Sequence, residues 1–372
     1  VARPTDITVI GAGIIGCAVA HELARRGASA QIVDDRPAGM GATQASAGVL
    51  APYIEAREGS PLLDLTVRSL DLFDSFVECV TSVSGMPVTY RRTGTLDVAL
   101  NESMKARFGM LADWLADRGV AAELVDQQGV RSLEPCLSPD AMAGLFISSH
   151  GFVVATELTR ATAAAARRNG AQILEQGRVR RISRNGADLI VETDRGSLSS
   201  HGVVLAAGSW AGQIDVEEGT CRLPVRPVRG QLLHLAWTSP QLRRVTWSER
   251  CYLVPWEDGT VLVGATVEEA GFDERTTAAG VRQLIEAACE LVPSAWGAGF
   301  CAAKVGLRPG TPDDLPIIGA SVRVPNLLYA TGHYRNGVLL APLTAKIVAD
   351  AMLEDRMDPA LAATSPQRFG DL

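Results

Sequence analysis

Apolar positions near the start of the chain change period twice before Asp35. Ile7-Thr8-Val9-Ile10 is a short run suited to a buried strand, and Cys17 to Arg26 reads as a helix. Ala30-Gln31-Ile32-Val33 then returns to a strand ending at Asp34. Between the first strand and the helix stands Gly11-Ala12-Gly13-Ile14-Ile15-Gly16. The spacing predicts a dinucleotide fold: Gly11 turns the chain, Gly13 lets the backbone approach a pyrophosphate, and Gly16 lets helix and strand pack closely. The free N–H groups of the helix start would meet the phosphates, and Asp34 stands where an acid grips a ribose hydroxyl.

Further pieces of the same texture are scattered. Thr156 to Asn169 predicts a helix with a Thr cap and a stop at Gly170. Strands are predicted at 171–174, at the alternating stretch 188–193, at 202–208 and at 326–332, and a closing helix at 342–352 with Pro342 early. Residues 55–145 read as helical, with apolar periodicity over 62–83 and 105–118, whereas 222–305 reads as β-rich. The expected organisation is therefore two interleaved domains. A nucleotide domain takes 1–55, 146–220 and 303–372, and a second domain takes 56–145 and 221–302. Ligand sites favour such junctions.

Composition narrows the class. The 372 residues suffice for two domains, and a net charge of −7 argues against a broadly basic nucleic-acid surface. No apolar run reaches the ~18 residues of a membrane span, and no basic-then-apolar leader is expected ahead of the first strand. Seven scattered cysteines without a CxxC pair point to reduced thiols in a cytoplasmic protein, not to disulfides or a metal site, and Cys17 reads as a small core residue.

A small-residue segment, Gly41 to Pro52, suits a flat ring, and Gly332 to Leu339 offers a second glycine-rich approach before the closing helix. Both together fit a long dinucleotide. The resemblance then becomes specific through VIGAGIIG, GATQASAGVLAP, VVLAAGSWA (203–211), CYLVPWEDGT (251–260), VGATVEEAGFD (263–273), GLRPGTPDDLPIIG (306–319) and ATGHYRNGVLLAP (330–342). In family order over nearly the whole chain, these resemble the D-amino-acid-oxidase-like flavoenzymes, most closely the ThiO-type glycine oxidases.

The resemblance implies an α/β fold: a glutathione-reductase-like FAD-binding Rossmann domain interleaved with a mixed α+β substrate domain. It implies noncovalent FAD held by Gly11, Gly13, Ile14, Ile15 and Gly16, by Asp34 and Asp35, and by Thr43, Gln44, Ser46, Ala47, Gly48 and Val49. Further cofactor contacts are expected from Val179, from Ala207, Gly208 and Trp210, from Arg308, and from His333, Tyr334, Arg335, Asn336, Gly337, Val338 and Leu339. It implies a small amino acid or N-substituted glycine as substrate, hydride transfer from its α-carbon to flavin N5, imine hydrolysis, and reduction of molecular oxygen to hydrogen peroxide. A homo-oligomer is also implied.

By the same resemblance Arg308 clamps the substrate carboxylate with its planar fork, Tyr252 donates a hydroxyl to it, and Arg335 lies near substrate and flavin. The chain departs from its relatives at Trp256, after Pro255, and at 302–305, before Gly306. Arg250 stands two residues before Tyr252. On one strand the two would share a face, which would let Arg250 meet a second carboxylate on a larger secondary amine. The other reading places Arg250 exposed in a polar turn, Ser248-Glu249-Arg250. No histidine receives a proton-transfer role. Asp313-Asp314 reads as a turn and Glu268-Glu269 as solvated. Rival readings are a D-amino-acid dehydrogenase passing electrons to a quinone or carrier, a noncatalytic flavin-binding subunit, and a nicotinamide dehydrogenase.

Overall fold

The parallel part of the first sheet forms where the sequence places its short apolar runs. The computed structural model describes residues 5–55, 60–175, 177–217, 222–237 and 242–372. Among these, Leu327–Thr331, Gly196–Leu205, Thr5–Ile10, Ala30–Asp34 and Gln172–Glu175 lie side by side and parallel. Strands buried on both faces read as unbroken apolar runs, which is how Val203-Val204-Leu205 appears. In Ile7 to Ile10 the buried Thr8 interrupts the run, its hydroxyl accepting from Gln31 Nε2 at 2.8 Å. Gly196–Leu205 begins earlier than the apolar run because its polar first half pairs with Asp188–Thr193 in an antiparallel extension.

Three helices cover this sheet. Ile14–Arg25 is buried along most of its length and packs with Ala155–Arg168 and Gly337–Glu354 in one core. The second begins at Ala155 with Val154 as its cap residue, so Thr156 does not cap it. The closing helix starts five residues before Pro342, which lies inside it. A proline there removes one ladder hydrogen bond and crowds the preceding turn. Ser69, from the helix Pro61–Asp71, enters the opened turn: its hydroxyl donates to the Leu339 carbonyl at 2.6 Å and accepts the Leu343 N–H at 3.3 Å. Pro61–Asp71 and Phe73–Ser84 share that core through Leu65, Leu70, Phe73 and Val77.

The stretch 55–145 is not all helix. Thr95–Ala99, Ala122–Asp126 and Ala143–Ile147 are strands in a second, eight-stranded sheet. Thr95–Ala99 is paired on both edges, with Ala143–Ile147 and with Val245–Trp247, and shows no alternation because both faces are covered. Leu96 and Val98 enter the core under helix Ala278–Leu291, and Ala99 enters that under helix Glu102–Ala116. The β-rich stretch supplies the rest, ending in the long antiparallel pair Arg226–Ala236 and Gly299–Gly310. That last strand runs across position 303 without a break. Helix Ala278–Leu291 packs on this sheet through Leu284, Ala287 and Ala288.

Cys17 is fully buried, and burial pushes its thiol up to about 12. The described cysteines form no disulfide, and Cys221 lies outside the described residues. No helix among the described residues is long and apolar enough to cross a membrane.

Ser69→Ala strands the Leu339 carbonyl and the Leu343 N–H inside the core. Urea unfolding should show a loss of about 1–3 kcal/mol, the cost of a buried polar group left unpaired.

Candidate active site

The parallel strands end together, and a cavity opens at their carboxyl edge, as expected for an open α/β sheet. Ile10, Val33, Ala206 and Ala330 line it from those strand ends, and Trp247, Tyr252, Leu307 and Arg308 line it from the second sheet. The cavity is therefore shared by both layers.

Its nucleotide end is built by the first turn. Gly11 has φ +108°, and a side chain there would collide with the Ala206 carbonyl. A side chain at Gly16 would strike the Gly11 carbonyl, so Gly16 packs helix on turn and does not line the cavity. Gly13 begins the helix with no side-chain cap, and its first turn holds no acid. The positive helix end thus stays available to an anion. Thr43 reaches it with a hydroxyl that accepts the Ile14 N–H at 3.3 Å.

Asp34 is fixed by two backbone donors, Ala12 N–H at 2.6 Å and Arg36 N–H at 2.8 Å. Burial pushes its carboxyl above the ordinary range against the pull of those two bonds, and the nearby Asp35 adds to the rise. Arg36, which the sequence did not single out, lies over the Trp210 ring at 4.6 Å and pairs with Glu274 at 2.8 Å.

The segments 41–51 and 330–338 line the middle of the cavity. Ser46, Ala47, Gly48 and Val49 face it, as do Ala207, Gly208, Trp210 and Val179. Tyr334, Asn336, Gly337 and Val338 also line it, and Arg335 does so while exposed to solvent. His333 is buried, its Nε2 is 3.1 Å from the Thr344 hydroxyl, and burial pushes its imidazole down to about 3. It is neutral at working pH. Two expected residues point elsewhere: Gln44 donates to the Met40 carbonyl, and Leu339 is buried in the helical core.

Tyr252 and Arg308 come from different strands of the second sheet. Tyr252 pairs with Gly264 and Arg308 with Val228, which lies two residues from Gly230. A side chain at Gly264 would overlap the Tyr252 ring, and one at Gly230 would overlap the Arg308 guanidinium. Both side chains therefore lie flat over glycines, which leave space where other residues would fill it. Arg308 donates to the Thr266 carbonyl at 3.0 Å. Trp247, directly across from Tyr252 with ring centroids 4.8 Å apart, completes this end. The hairpin pairing of positions 247 and 252 is the signal that could have found it.

Arg250 is not brought to the cavity. The strand begins only at Tyr252; before it, Ser248 N–H donates to the Cys251 carbonyl at 2.8 Å and turns the chain. Alternation does not extend through such a turn, and Arg250 pairs instead with Glu290 at 2.6 Å on the helix Ala278–Leu291. Asp314 occupies a turn with φ +58°, and Asp313 pairs with Arg368 at 2.7 Å. Glu268 is not simply solvated: it accepts hydrogen bonds from Thr266, Gln231 and Arg229.

The cradle fits FAD: a helix end whose own cap residue has no side chain for the pyrophosphate, an anchored acid for the ribose, and a small-residue wall for a flat ring. Comparison with known proteins agrees. The sequence model for DAO, FAD dependent oxidoreductase, matches residues 6–351. The chain is 35% identical over 372 residues to the bifunctional protein ThiO/ThiG of Synechocystis sp., covering 98% of this chain and 54% of that protein. The chain thus spans about half the length of that relative. It is 32% identical to the glycine oxidase of Geobacillus kaustophilus, covering 93% of this chain and 92% of that one. The crystal structure of glycine oxidase from Geobacillus kaustophilus superposes with a TM-score of 0.93 over 99% of both chains, at 31% identity.

Gly11→Ala should yield protein purified without the yellow colour of bound flavin, read from its visible absorbance. Gly264→Ala should retain the flavin but displace the Tyr252 ring. Acetate titration of its flavin spectrum should then show about tenfold weaker binding, the size of one lost charge-assisted hydrogen bond.

Proposed function

The chain belongs to the DAO family of FAD-dependent oxidoreductases, and from that membership we propose that it catalyses the oxidative deamination of glycine or an N-substituted glycine. The observation that carries this is the convergence of Arg308 and Tyr252 over Gly230 and Gly264 into the cavity that holds the cofactor cradle. A planar guanidinium beside a phenol is suited to one carboxylate, which receives two parallel N–H bonds and one O–H bond. Holding the carboxylate fixes the α-carbon relative to the ring, and such fixed geometry is a large share of catalysis. FAD, bound noncovalently, supplies the redox chemistry by accepting two electrons and the α-hydrogen.

The protein's own groups bind, orient and exclude water. Trp247, Leu232 and Val254 bury the Tyr252 ring in an apolar cluster, which strengthens the polar contacts made beside it. The histidines provide no proton acceptor. His333 is held neutral with its Nε2 engaged, and His21, His150, His201 and His234 do not line the cavity. The substrate amine therefore enters neutral, and the imine formed is hydrolysed to glyoxylate and ammonia or a free amine. Molecular oxygen is the proposed acceptor, giving hydrogen peroxide. A larger N-substituent bearing a second carboxylate would meet Arg335 at the exposed part of the cavity, not Arg250.

Anaerobic reduction of the flavin by a panel of glycine, sarcosine, D-alanine, D-proline and bulky N-carboxymethyl amino acids tests this. Bleaching by glycine or an N-substituted glycine is expected, with stoichiometric peroxide once air is admitted. Bleaching by D-proline and by no glycine derivative would overturn it. Arg308→Ala should lower kcat/KM on the order of a hundredfold, as expected from removing one partner of a desolvated charge pair.

A further inference from the structure

Behind Arg308 lies a polar network that the mechanism above leaves unused. Thr266 follows the strand Thr260–Gly264 and is almost fully buried. Its carbonyl accepts the Arg308 guanidinium at 3.0 Å, while its hydroxyl donates to Glu268 at 2.5 Å and accepts the Gln231 N–H at 2.9 Å. Its own N–H donates to the Gln231 carbonyl at 3.2 Å. Glu268 is in turn gripped by Gln231 Nε2 at 2.7 Å and by Arg229 at 2.6 Å. The Gln231 amide is locked by Thr277, which accepts from its nitrogen and donates to its oxygen, both at 2.9 Å.

Strand alternation assigns the two faces. Val228 and Gly230 stand opposite Arg308 and Gly306 and share the cavity face, so Arg229 and Gln231 point to the other. Thr266 joins the two sides: its side chain is bound into the network on the far face, and its carbonyl holds the clamp on the near face. Partial burial opposes ionisation of Glu268, but its hydrogen bonds from Thr266, Gln231 and Arg229 hold it below the ordinary carboxylate range. It is charged at neutral pH and balances Arg229.

We propose that Thr266, locked by Glu268 and Gln231, is a positioning residue for Arg308, fixing the orientation in which the guanidinium meets both oxygens of a substrate carboxylate. A long arginine side chain has many rotamers, and a bidentate contact needs one of them. A carbonyl acceptor held by its own side chain selects that rotamer before the substrate arrives. The inference rests on the reading that Arg308 binds the carboxylate.

The test compares FAD-loaded wild type with Thr266→Val, Thr266→Ser, Glu268→Gln and Arg308→Ala. Acetate binding is followed by the flavin absorbance, and glycine turnover by peroxide release. Thr266→Val should raise the acetate Kd and the glycine KM about tenfold while kcat moves less than about twofold, the pattern of lost uniform binding. Thr266→Ser should stay close to wild type, because it keeps the hydroxyl. Equal losses in Ser and Val variants would overturn the proposal. So would wild-type acetate affinity in both Thr266→Val and Glu268→Gln while Arg308→Ala binds none, a result that leaves the clamp standing. Unchanged acetate affinity in Arg308→Ala would remove the clamp and the proposal together. If Thr266→Val does not fold, the partly exposed Glu268→Gln decides: a several-fold rise in Kd supports the proposal, and no change overturns it.

Discussion

The first helix meets the cavity with its N-terminus uncovered, and much of the molecule is arranged around keeping it so. Four N–H groups at a helix start have no partner within the helix, and a buried end normally recruits a side chain to satisfy them. Here Gly13 offers none, and the Thr43 hydroxyl takes the Ile14 N–H. Exposing this end to a ligand requires the first strand to stop at Gly11, the turn to pass against Ala206, and the helix to lie directly on the sheet at Gly16. Each of these excludes a side chain. The helices Ala155–Arg168 and Gly337–Glu354 then bury the flanks of Ile14–Arg25 and hold it in place.

The second sheet works by a related exclusion of bulk. Arg308 and Tyr252 reach the cavity by lying across Gly230 and Gly264 on neighbouring strands. Absent side chains on one pair of positions create the room in which present ones are held flat. The same sheet is covered on both faces. One carries the apolar cluster with Trp247 and Tyr252, and the other carries the core under helix Ala278–Leu291, with Arg229 and Gln231 and their acidic partners at one end of it.

The nucleotide half was largely legible because its signals are local. A glycine turn between a strand and a helix, with an acid after the second strand, spans a short stretch and constrains its own geometry. The pattern was less informative where pairing is long-range. Thr95–Ala99 becomes a strand through neighbours at 143–147 and 245–247, which no local period announces. The closing helix continues on both sides of Pro342 because Ser69, distant in sequence, fills the opened turn. The sequence allows Arg250 either a strand face shared with Tyr252 or an exposed polar turn, and the turn at Ser248 decides for the second.

What the sequence by itself determined is the family and its cofactor: the glycines of the first turn, Asp34, and the later motifs that carry Tyr252 and Arg308. Those depend on residue type and spacing, which the chain carries wherever it folds. What only the tertiary structure decided is which of the cations share one cavity and what stands behind them. Arg308 and Arg335 enter the cavity, and Arg250 is drawn off by Glu290. Glu268 becomes part of a network with Gln231 and Arg229, strand neighbours far from it in sequence. Electrostatic partners are chosen by distance in space, and strand register sets that distance across stretches of chain too long for local periodicity to encode.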